Sequence, residues 1–142
     1  MRRLFLAAVV ALVLAAGASA DSVLIPLTVK PGSLTIVPAR AVVRGTSAEV
    51  AVVDARGNGG GWQVVATPTG RPFTIAGADA RCGSRSTCTL PRSAVHYPLA
   101  LVGLRATTVF TATRGTGTGT IVLTFHFAGP GAGGLVLSVR PR

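Results

Sequence analysis

Acidic residues are scarce in this chain: Asp and Glu together number 4, against 14 Lys and Arg, for a formal net charge of +10. The four carboxylates are Asp21, Glu49, Asp54 and Asp79. Glycoside hydrolysis needs two carboxyl groups that flank one cleft. Glu49 and Asp54 lie five positions apart on one predicted strand, so their side chains are expected on opposite faces of the pleat. The acidic residues therefore argue against hydrolytic catalysis.

Other side chains that carry chemistry are also few. Histidine occurs only twice, at His96 and His126, and no Gly-x-Ser-x-Gly nucleophile motif is present. A histidine base needs a nucleophile or an orienting acid within reach. His126 stands between Phe125 and Phe127 in an alternating segment, so we expect it to face solvent. We predict that the protein is not an enzyme, has no catalytic residues and needs no cofactor.

The sequence contains two cysteines, Cys82 and Cys88. Two cysteines without a nearby histidine cannot complete a tetrahedral zinc shell, and their spacing differs from the C-x-x-C of redox pairs. We therefore predict no metal site and a structural disulfide between them. Closing so short a loop should stabilise the fold by about 2–2.5 kcal/mol.

The first apolar run, residues 4–16, is too short to span a membrane, which requires about 20 residues. Arg2 and Arg3 precede it, and Ala18-Ser19-Ala20 follows as a small-residue cleavage site. Residues 1–20 are predicted to be a helical secretory signal peptide that is cleaved; a short uncut anchor helix is the alternative. Residues 21–142 would then form one secreted domain with no membrane span, and the oxidising destination permits the disulfide.

After residue 20 no segment shows the 3.6-residue apolar period of a helix. Residues 120–127 alternate strictly, with Ile121, Leu123, Phe125 and Phe127 on one face. Other short strands are predicted at residues 23–30, 33–37, 42–43, 50–53, 62–67, 73–76, 108–113 and 135–139. Seven to nine short strands spaced about ten residues apart predict an all-β fold, an antiparallel immunoglobulin-like β-sandwich. A closed barrel is the alternative. The Gly-Thr repeat at residues 115–120 is predicted to be a flexible, solvated hairpin loop.

Residues 50–65 are the most informative stretch. A β-branched run reaches Asp-Ala-Arg-Gly, passes the glycines of residues 57–61 and resumes at the only tryptophan, Trp62. No Gly-Lys-Ser/Thr follows these glycines, so a phosphate-binding loop is not indicated. We predict a hairpin in which the glycines supply positive φ and Asp54 binds backbone amides ahead of Gly57. Trp62 is interpreted as a core anchor, and the alternative is an exposed aromatic that stacks on sugar rings.

These residues resemble the WxL domain, a module of secreted Gram-positive surface proteins. Its Trp-x-Leu motif is similar to Trp62-Gln63-Val64, with Val64 in place of leucine, and its Tyr-x-x-x-Leu motif is similar to Tyr97 through Leu101. The likeness extends over most of residues 23–142, and residues 32–66 are its specific part. The resemblance implies a β-sandwich-like fold, export, and non-covalent attachment to peptidoglycan, with Trp62, Val64, Tyr97 and Leu101 as the binding-motif residues.

The basic charge allows two interpretations. Without Arg2 and Arg3 the chain keeps 12 basic and 4 acidic residues, a net charge of +8, and all but Lys30 of the basic residues are arginine. An anionic wall polymer is one explanation, and the amino-acid bias of a GC-rich genome is the other. The arginines form no run and no aromatic stacking platform lies between them, so nucleic acid is not expected as a partner.

Two functions remain open from the sequence. The first is a secreted, cell-wall-associated module that binds peptidoglycan or an anionic wall polymer. The second is a structural subunit of a surface layer or fimbria-like array, joined to other surface proteins by strand addition, with residues 23–29 as the donated strand.

Overall fold

The computed structural model describes residues 32–142, which form seven β-strands and contain no helix. The predicted signal peptide, its cleavage site and the strand at residues 23–30 lie outside the described residues. A helix long and apolar enough to cross a membrane is not found in the described part of the chain.

The strands follow one another as β1 (Leu34–Val37), β2 (Arg40–Asp54), β3 (Trp62–Thr69), β4 (Phe73–Cys82), β5 (Leu99–Leu101), β6 (Thr107–Ala112) and β7 (Gly119–Pro141). The expectation of uniformly short strands is wrong for β2 and β7, which have 15 and 23 residues. Each joins two segments that the sequence separates by glycines. Because β2 and β7 pair with each other along their lengths, the ladder continues through these glycines with a register shift between Gly45 and Ser47.

Strands β2 and β7 organise the whole fold. The first half of β7, residues 119–127, lies between β2 and β4, and its second half, residues 134–141, lies between β2 and β3. β1 flanks β2, β5 flanks β4, and β6 flanks β3, all antiparallel. Two antiparallel sheets result, β1-β2-β7-β4-β5 and β2-β7-β3-β6, which share their two long strands. The predicted all-β, antiparallel class is confirmed, and the arrangement is consistent with a β-sandwich.

The predicted hairpin at residues 55–61 is wrong. β2 and β3 do not pair with each other, because β7 lies between them in the strand order. The loop connects the end of β2 to the start of β3. Three of the four glycines have positive φ, as predicted, with values of 70°, 61° and 54° at Gly57, Gly59 and Gly61. Positive φ allows a tight change of direction, but it does not decide which strand receives the chain.

The Gly-Thr repeat also differs from its prediction as a solvated hairpin loop. It connects β6 to β7, which are not paired strands, and Gly117 is buried. The amide of Gly117 donates a hydrogen bond of 2.7 Å to the Thr89 carbonyl, and the amide of Thr89 donates to the Thr118 carbonyl at 3.3 Å. The repeat is therefore hydrogen-bonded to the segment that contains Thr89.

The core follows the strand alternation. Ile121, Leu123, Phe125 and Phe127 are all buried, as their spacing predicts, and His126 between them is exposed. They pack with inward-facing residues of the other strands; the largest of these that are fully buried include Trp62, Ile75, Leu101, Val50, Val52, Val64 and Val109. The apolar face of every long strand is thus directed into one shared core.

The disulfide between Cys82 and Cys88 is present, as predicted, with the two Cα atoms 5.6 Å apart. It closes the loop that follows β4 and holds this loop against the start of β7. The Gly83 amide donates to the Thr120 carbonyl at 2.8 Å, and the Thr120 amide donates to the Ser86 hydroxyl at 3.2 Å. The disulfide and these two hydrogen bonds therefore fix the position of the irregular segment between β4 and β5.

Replacing both cysteines by serine is expected to lower the free energy of unfolding by about 2–2.5 kcal/mol, because the unfolded chain loses its short covalent loop. Chemical denaturation of the wild type and of Cys82→Ser/Cys88→Ser measures the difference. A reducing agent should destabilise the wild type by the same amount and leave the double variant unchanged. If a reducing agent also lowered the free energy of unfolding of the double variant, the disulfide would not be the cause of the loss.

Candidate functional site

An ion pair organises the glycine loop at one end of the fold. The carboxylate of Asp54, which is 4% exposed, accepts hydrogen bonds from Arg56 Nε at 2.8 Å, Arg56 Nη2 at 2.9 Å and the Arg56 amide at 3.2 Å. Arg56 Nη2 also donates to the Gly61 carbonyl at 2.9 Å. The hydrogen bonds from the Arg56 side chain hold the pKa of Asp54 below its usual value, against the opposing effect of burial.

The prediction that Asp54 binds a backbone amide in this turn is confirmed. The role of Arg56 was not foreseen, although an arginine two residues after a turn aspartate is a signal that could have suggested it. The guanidinium makes a two-pronged contact with the carboxylate and at the same time reaches across the glycines. The Arg56 side chain is thereby hydrogen-bonded to residues at both ends of the loop, Asp54 and Gly61.

Trp62 follows this loop directly and is fully buried. Its ring stacks on Phe110 with the centroids 6.0 Å apart, and its Nε1 donates to the Gly117 carbonyl at 2.8 Å. A Cβ atom at Gly117 would lie 2.7 Å from Trp62 Nε1, so only glycine allows this approach. The structure places Trp62 as a core anchor and leaves no indole surface exposed to a sugar.

Replacing Gly117 by alanine is expected to destabilise the protein by about 1–3 kcal/mol. The new methyl group would overlap Ala112 and the indole, and φ at this position is 73°, which a side chain strains. Thermal or urea unfolding measures the loss. Gly115→Ala is the matched control because its φ is also positive, at 81°, and nothing lies within 4 Å of its added Cβ. Equal losses for the two variants would contradict the packing explanation.

The residues that the resemblance marks for binding are not brought together on a surface. Trp62, Val64 and Leu101 are all 0% exposed and belong to the same core cluster. Tyr97 is half-buried and packs against that cluster. The first three side chains therefore have no surface with which to contact a polymer directly in this structure.

Tyr97 has a different role, which sequence reasoning missed. Its hydroxyl donates to the Val109 carbonyl, the Thr111 amide donates to the Ser93 hydroxyl at 3.3 Å, and the Ala94 amide donates to the Thr111 hydroxyl at 2.9 Å. Residues 93–97 thus cover the outer edge of β6, which pairs with β3 on its other side. Covering an edge prevents its free backbone groups from pairing with another chain.

Burial raises the pKa of Tyr97 to about 12, against a smaller opposing effect of the Ser93 hydroxyl. The stability that this side chain contributes is complete below the pKa of about 10 in the unfolded chain. It is then lost as the pH rises toward 12. Because Tyr97 is the only tyrosine in the sequence, the absorbance of tyrosinate reports it alone. We expect the midpoint of the Tyr97 titration to lie at a clearly higher pH in the native protein than in denaturant. Coincident midpoints would contradict the buried position of Tyr97.

A groove lies beside the glycine loop, lined by Gly60, Gly61, Thr113, Arg114 and Arg142, with a volume of about 460 Å³; we call it the arginine groove. Two backbone hydrogen bonds connect its walls. The Gly115 amide donates to the Gly59 carbonyl at 2.8 Å, and the Arg142 amide donates to the Gly61 carbonyl at 3.4 Å. Segments that are distant in sequence are therefore held around one opening.

The charge on the described surface is strongly one-sided. Glu49 and Asp79 are the exposed carboxylates among residues 32–142, and each already has a partner: Arg81 Nη2 lies 3.0 Å from Glu49, and His126 Nε2 lies 2.8 Å from Asp79. Among the arginines of this range whose side chains the structure describes, nine are exposed: Arg40, Arg71, Arg81, Arg85, Arg92, Arg105, Arg114, Arg140 and Arg142. Most of this positive charge is left to interact with solvent ions or with an anionic partner.

The described chain is thus an all-β domain of two antiparallel sheets with an arginine-rich surface. Within residues 32–142, no group of three or more His, Cys, Asp or Glu side chains is placed to hold a metal ion. The chain matches no family model, no curated protein and no solved structure.

Proposed function

We propose that this protein is an exported, non-catalytic module that attaches non-covalently to the cell wall by binding peptidoglycan or an anionic wall polymer. The observation that carries the proposal is the set of nine exposed arginines opposed by two exposed carboxylates, both already paired, in residues 32–142. Guanidinium groups form charge-assisted, two-pronged hydrogen bonds with phosphate and carboxylate. Such a surface attracts a polyanion over its whole area.

In this proposal the motif residues support the fold and do not touch the polymer. Trp62, Val64 and Leu101 fill the core, and Tyr97 covers an edge strand. The contacts to the wall are then made by exposed arginines, including those of the arginine groove. The covered β6 edge favours a module that remains separate from its neighbours in the wall.

Cosedimentation of the purified protein with peptidoglycan sacculi tests the proposal. We expect the protein to pellet with sacculi at about 0.15 M salt, where charges farther apart than about 8 Å are screened. Absence from the pellet at every salt concentration would overturn wall binding. Pelleting at low salt alone would assign the association to nonspecific charge attraction.

A structural subunit that joins its neighbours by strand addition is the second candidate, and one observation favours it. Within the described residues, β1 pairs only with β2, and Val37 on β1 is 61% exposed. An unpaired edge of this kind can accept a strand from another chain. Size-exclusion chromatography separates the two functions: polymers that disappear when residues 21–30 are deleted would support assembly.

A further inference from the structure

We propose that the arginine groove is a specific binding site for one oxyanion group of the wall polymer, either a phosphodiester or a carboxylate. This inference deepens the proposed function and rests on it for the source of the oxyanion. The groove itself can be tested with a soluble anion.

Two positively charged side chains from different parts of the chain converge on the groove. Arg114 comes from the loop between β6 and β7, and Arg142 follows the end of β7, yet both line the same opening. Neither guanidinium lies within 4.0 Å of a carboxylate of the described residues. Two like charges beside one cavity repel each other, and a bound anion turns that repulsion into two attractions.

The neighbouring Arg56 provides a useful contrast. Its guanidinium is occupied by Asp54 and by the Gly61 carbonyl, and its side chain is 12% exposed. It stabilises the loop and offers little to a ligand. The charge available in the groove therefore comes from Arg114 and Arg142, and Arg56 holds the glycine backbone that lies between them.

The shape of the opening also suits a small ligand. Gly60 and Gly61 contribute no side chains, so this part of the wall is bare backbone. A Cβ atom at Gly61 would lie 2.7 Å from the Ala112 carbonyl oxygen, so the packing behind the wall also requires glycine. The volume of about 460 Å³ falls within the range of about 300–1,000 Å³ that is typical of small-ligand sites. It suits one charged group with part of its sugar or peptide.

Hydrogen bonds within the protein hold the groove in its shape. The Thr116 amide and hydroxyl both donate to the Thr113 carbonyl, at 3.0 and 2.8 Å. Together with the bonds from Gly115 to Gly59 and from Arg142 to Gly61, they hold the three walls in place before any ligand arrives. A site that is already formed avoids most of the ordering cost of binding. Thr113, whose hydroxyl lies 3.3 Å from the Thr116 hydroxyl, also lines the groove.

The test compares two double variants with the same change in net charge. Arg114→Gln/Arg142→Gln alters the groove, and Arg71→Gln/Arg92→Gln removes two exposed arginines elsewhere that make no ion pair with the described residues. Binding to sacculi at about 0.15 M salt should weaken by about tenfold or more in the groove variant and by less than about threefold in the control. Equal weakening would overturn the groove and leave wall binding in place.

A titration with inorganic phosphate, followed by amide NMR shifts, tests the groove without any wall. We expect shifts centred on residues 60, 61, 113 and 114 that saturate in the wild type and are lost in Arg114→Gln/Arg142→Gln. Shifts spread over all exposed arginines would overturn a specific site. If the groove shifts saturate while the wild type fails to pellet with sacculi, the site stands and the proposed function falls.

Treated sacculi distinguish the two sources of the oxyanion. Extraction of phosphodiester polymers should abolish the difference between the two double variants if a phosphate is the ligand. Amidation of the peptide carboxylates should abolish it if a carboxylate is the ligand. A groove-dependent difference that survives both treatments together would contradict an oxyanion ligand.

Discussion

Replacing Trp62 by alanine is expected to lower the free energy of unfolding by about 3–5 kcal/mol. The side chain is 0% exposed, so the truncation removes the largest buried ring and leaves a cavity against Phe110. It also leaves the Gly117 carbonyl without the hydrogen bond from the indole. Urea denaturation followed by far-ultraviolet circular dichroism measures the change, because the variant has no tryptophan to report by fluorescence.

Trp62→Phe separates packing from hydrogen bonding. The smaller ring keeps most of the contact with Phe110 but cannot donate to the Gly117 carbonyl. An unsatisfied buried acceptor costs about 1–3 kcal/mol, so the phenylalanine variant should fall between the wild type and the alanine variant. A loss below about 1 kcal/mol for Trp62→Ala would show that the indole does not fill the core as described.

Replacing Asp54 by alanine is expected to cost about 3 kcal/mol, the lower end of the range for breaking a buried ion pair. The change leaves the Arg56 guanidinium, at 12% exposure, without its carboxylate. The glycine loop loses the contacts that fix Arg56 at its first end, and the hydrogen bond from Arg56 to the Gly61 carbonyl alone remains to join the two ends. Glu49→Ala is the matched control: it breaks the pair with Arg81, in which both side chains are more than half exposed, and should cost less than about 1 kcal/mol. Equal losses would contradict a special role for the buried pair.

The contribution of Asp54 should also depend on pH. Its pKa is lowered in the folded protein, so the folded state binds this proton less readily than the unfolded chain does. The resulting stability is complete above the unfolded pKa of about 3.9 and is lost as the pH falls through the folded pKa. The gap in unfolding free energy between wild type and Asp54→Ala should therefore narrow in acid. A difference in unfolding free energy that stays constant from neutral to acidic pH would contradict the lowered pKa of Asp54.

Local pattern was sufficient for the strands and for which side chains face inward. The alternation in residues 120–127 predicted the buried positions Ile121, Leu123, Phe125 and Phe127 because a strand has a period of two whatever it pairs with. The separation of Glu49 and Asp54 onto opposite faces followed from the same rule, and one is exposed while the other is buried. The cysteine pair was predictable because no other cysteine was available.

Strand partners could not be predicted from the same information. Residues 55–61 and 113–118 look like hairpin turns, yet both carry the chain between strands that do not pair. A glycine-rich segment reports only its own backbone freedom. The choice of partner depends on β7, which pairs with β2 on one side and with β4 and β3 on the other. The arginine groove could not be predicted for the same reason, because its lining residues come from three segments that are distant in sequence: residues 60–61, residues 113–114 and Arg142.

The all-β class, the inward and outward faces of the strands, the disulfide and the excess of positive charge all followed from the order of residues in the chain. Each of these depends on residue type or on spacing over a few positions. Three further features became evident from the folded chain: Asp54 and Arg56 form a buried ion pair, Trp62 donates a hydrogen bond to a glycine 55 residues away, and Arg114 and Arg142 line one groove. These features are long-range contacts, and they exist because the two long strands bring distant segments to the same end of the fold.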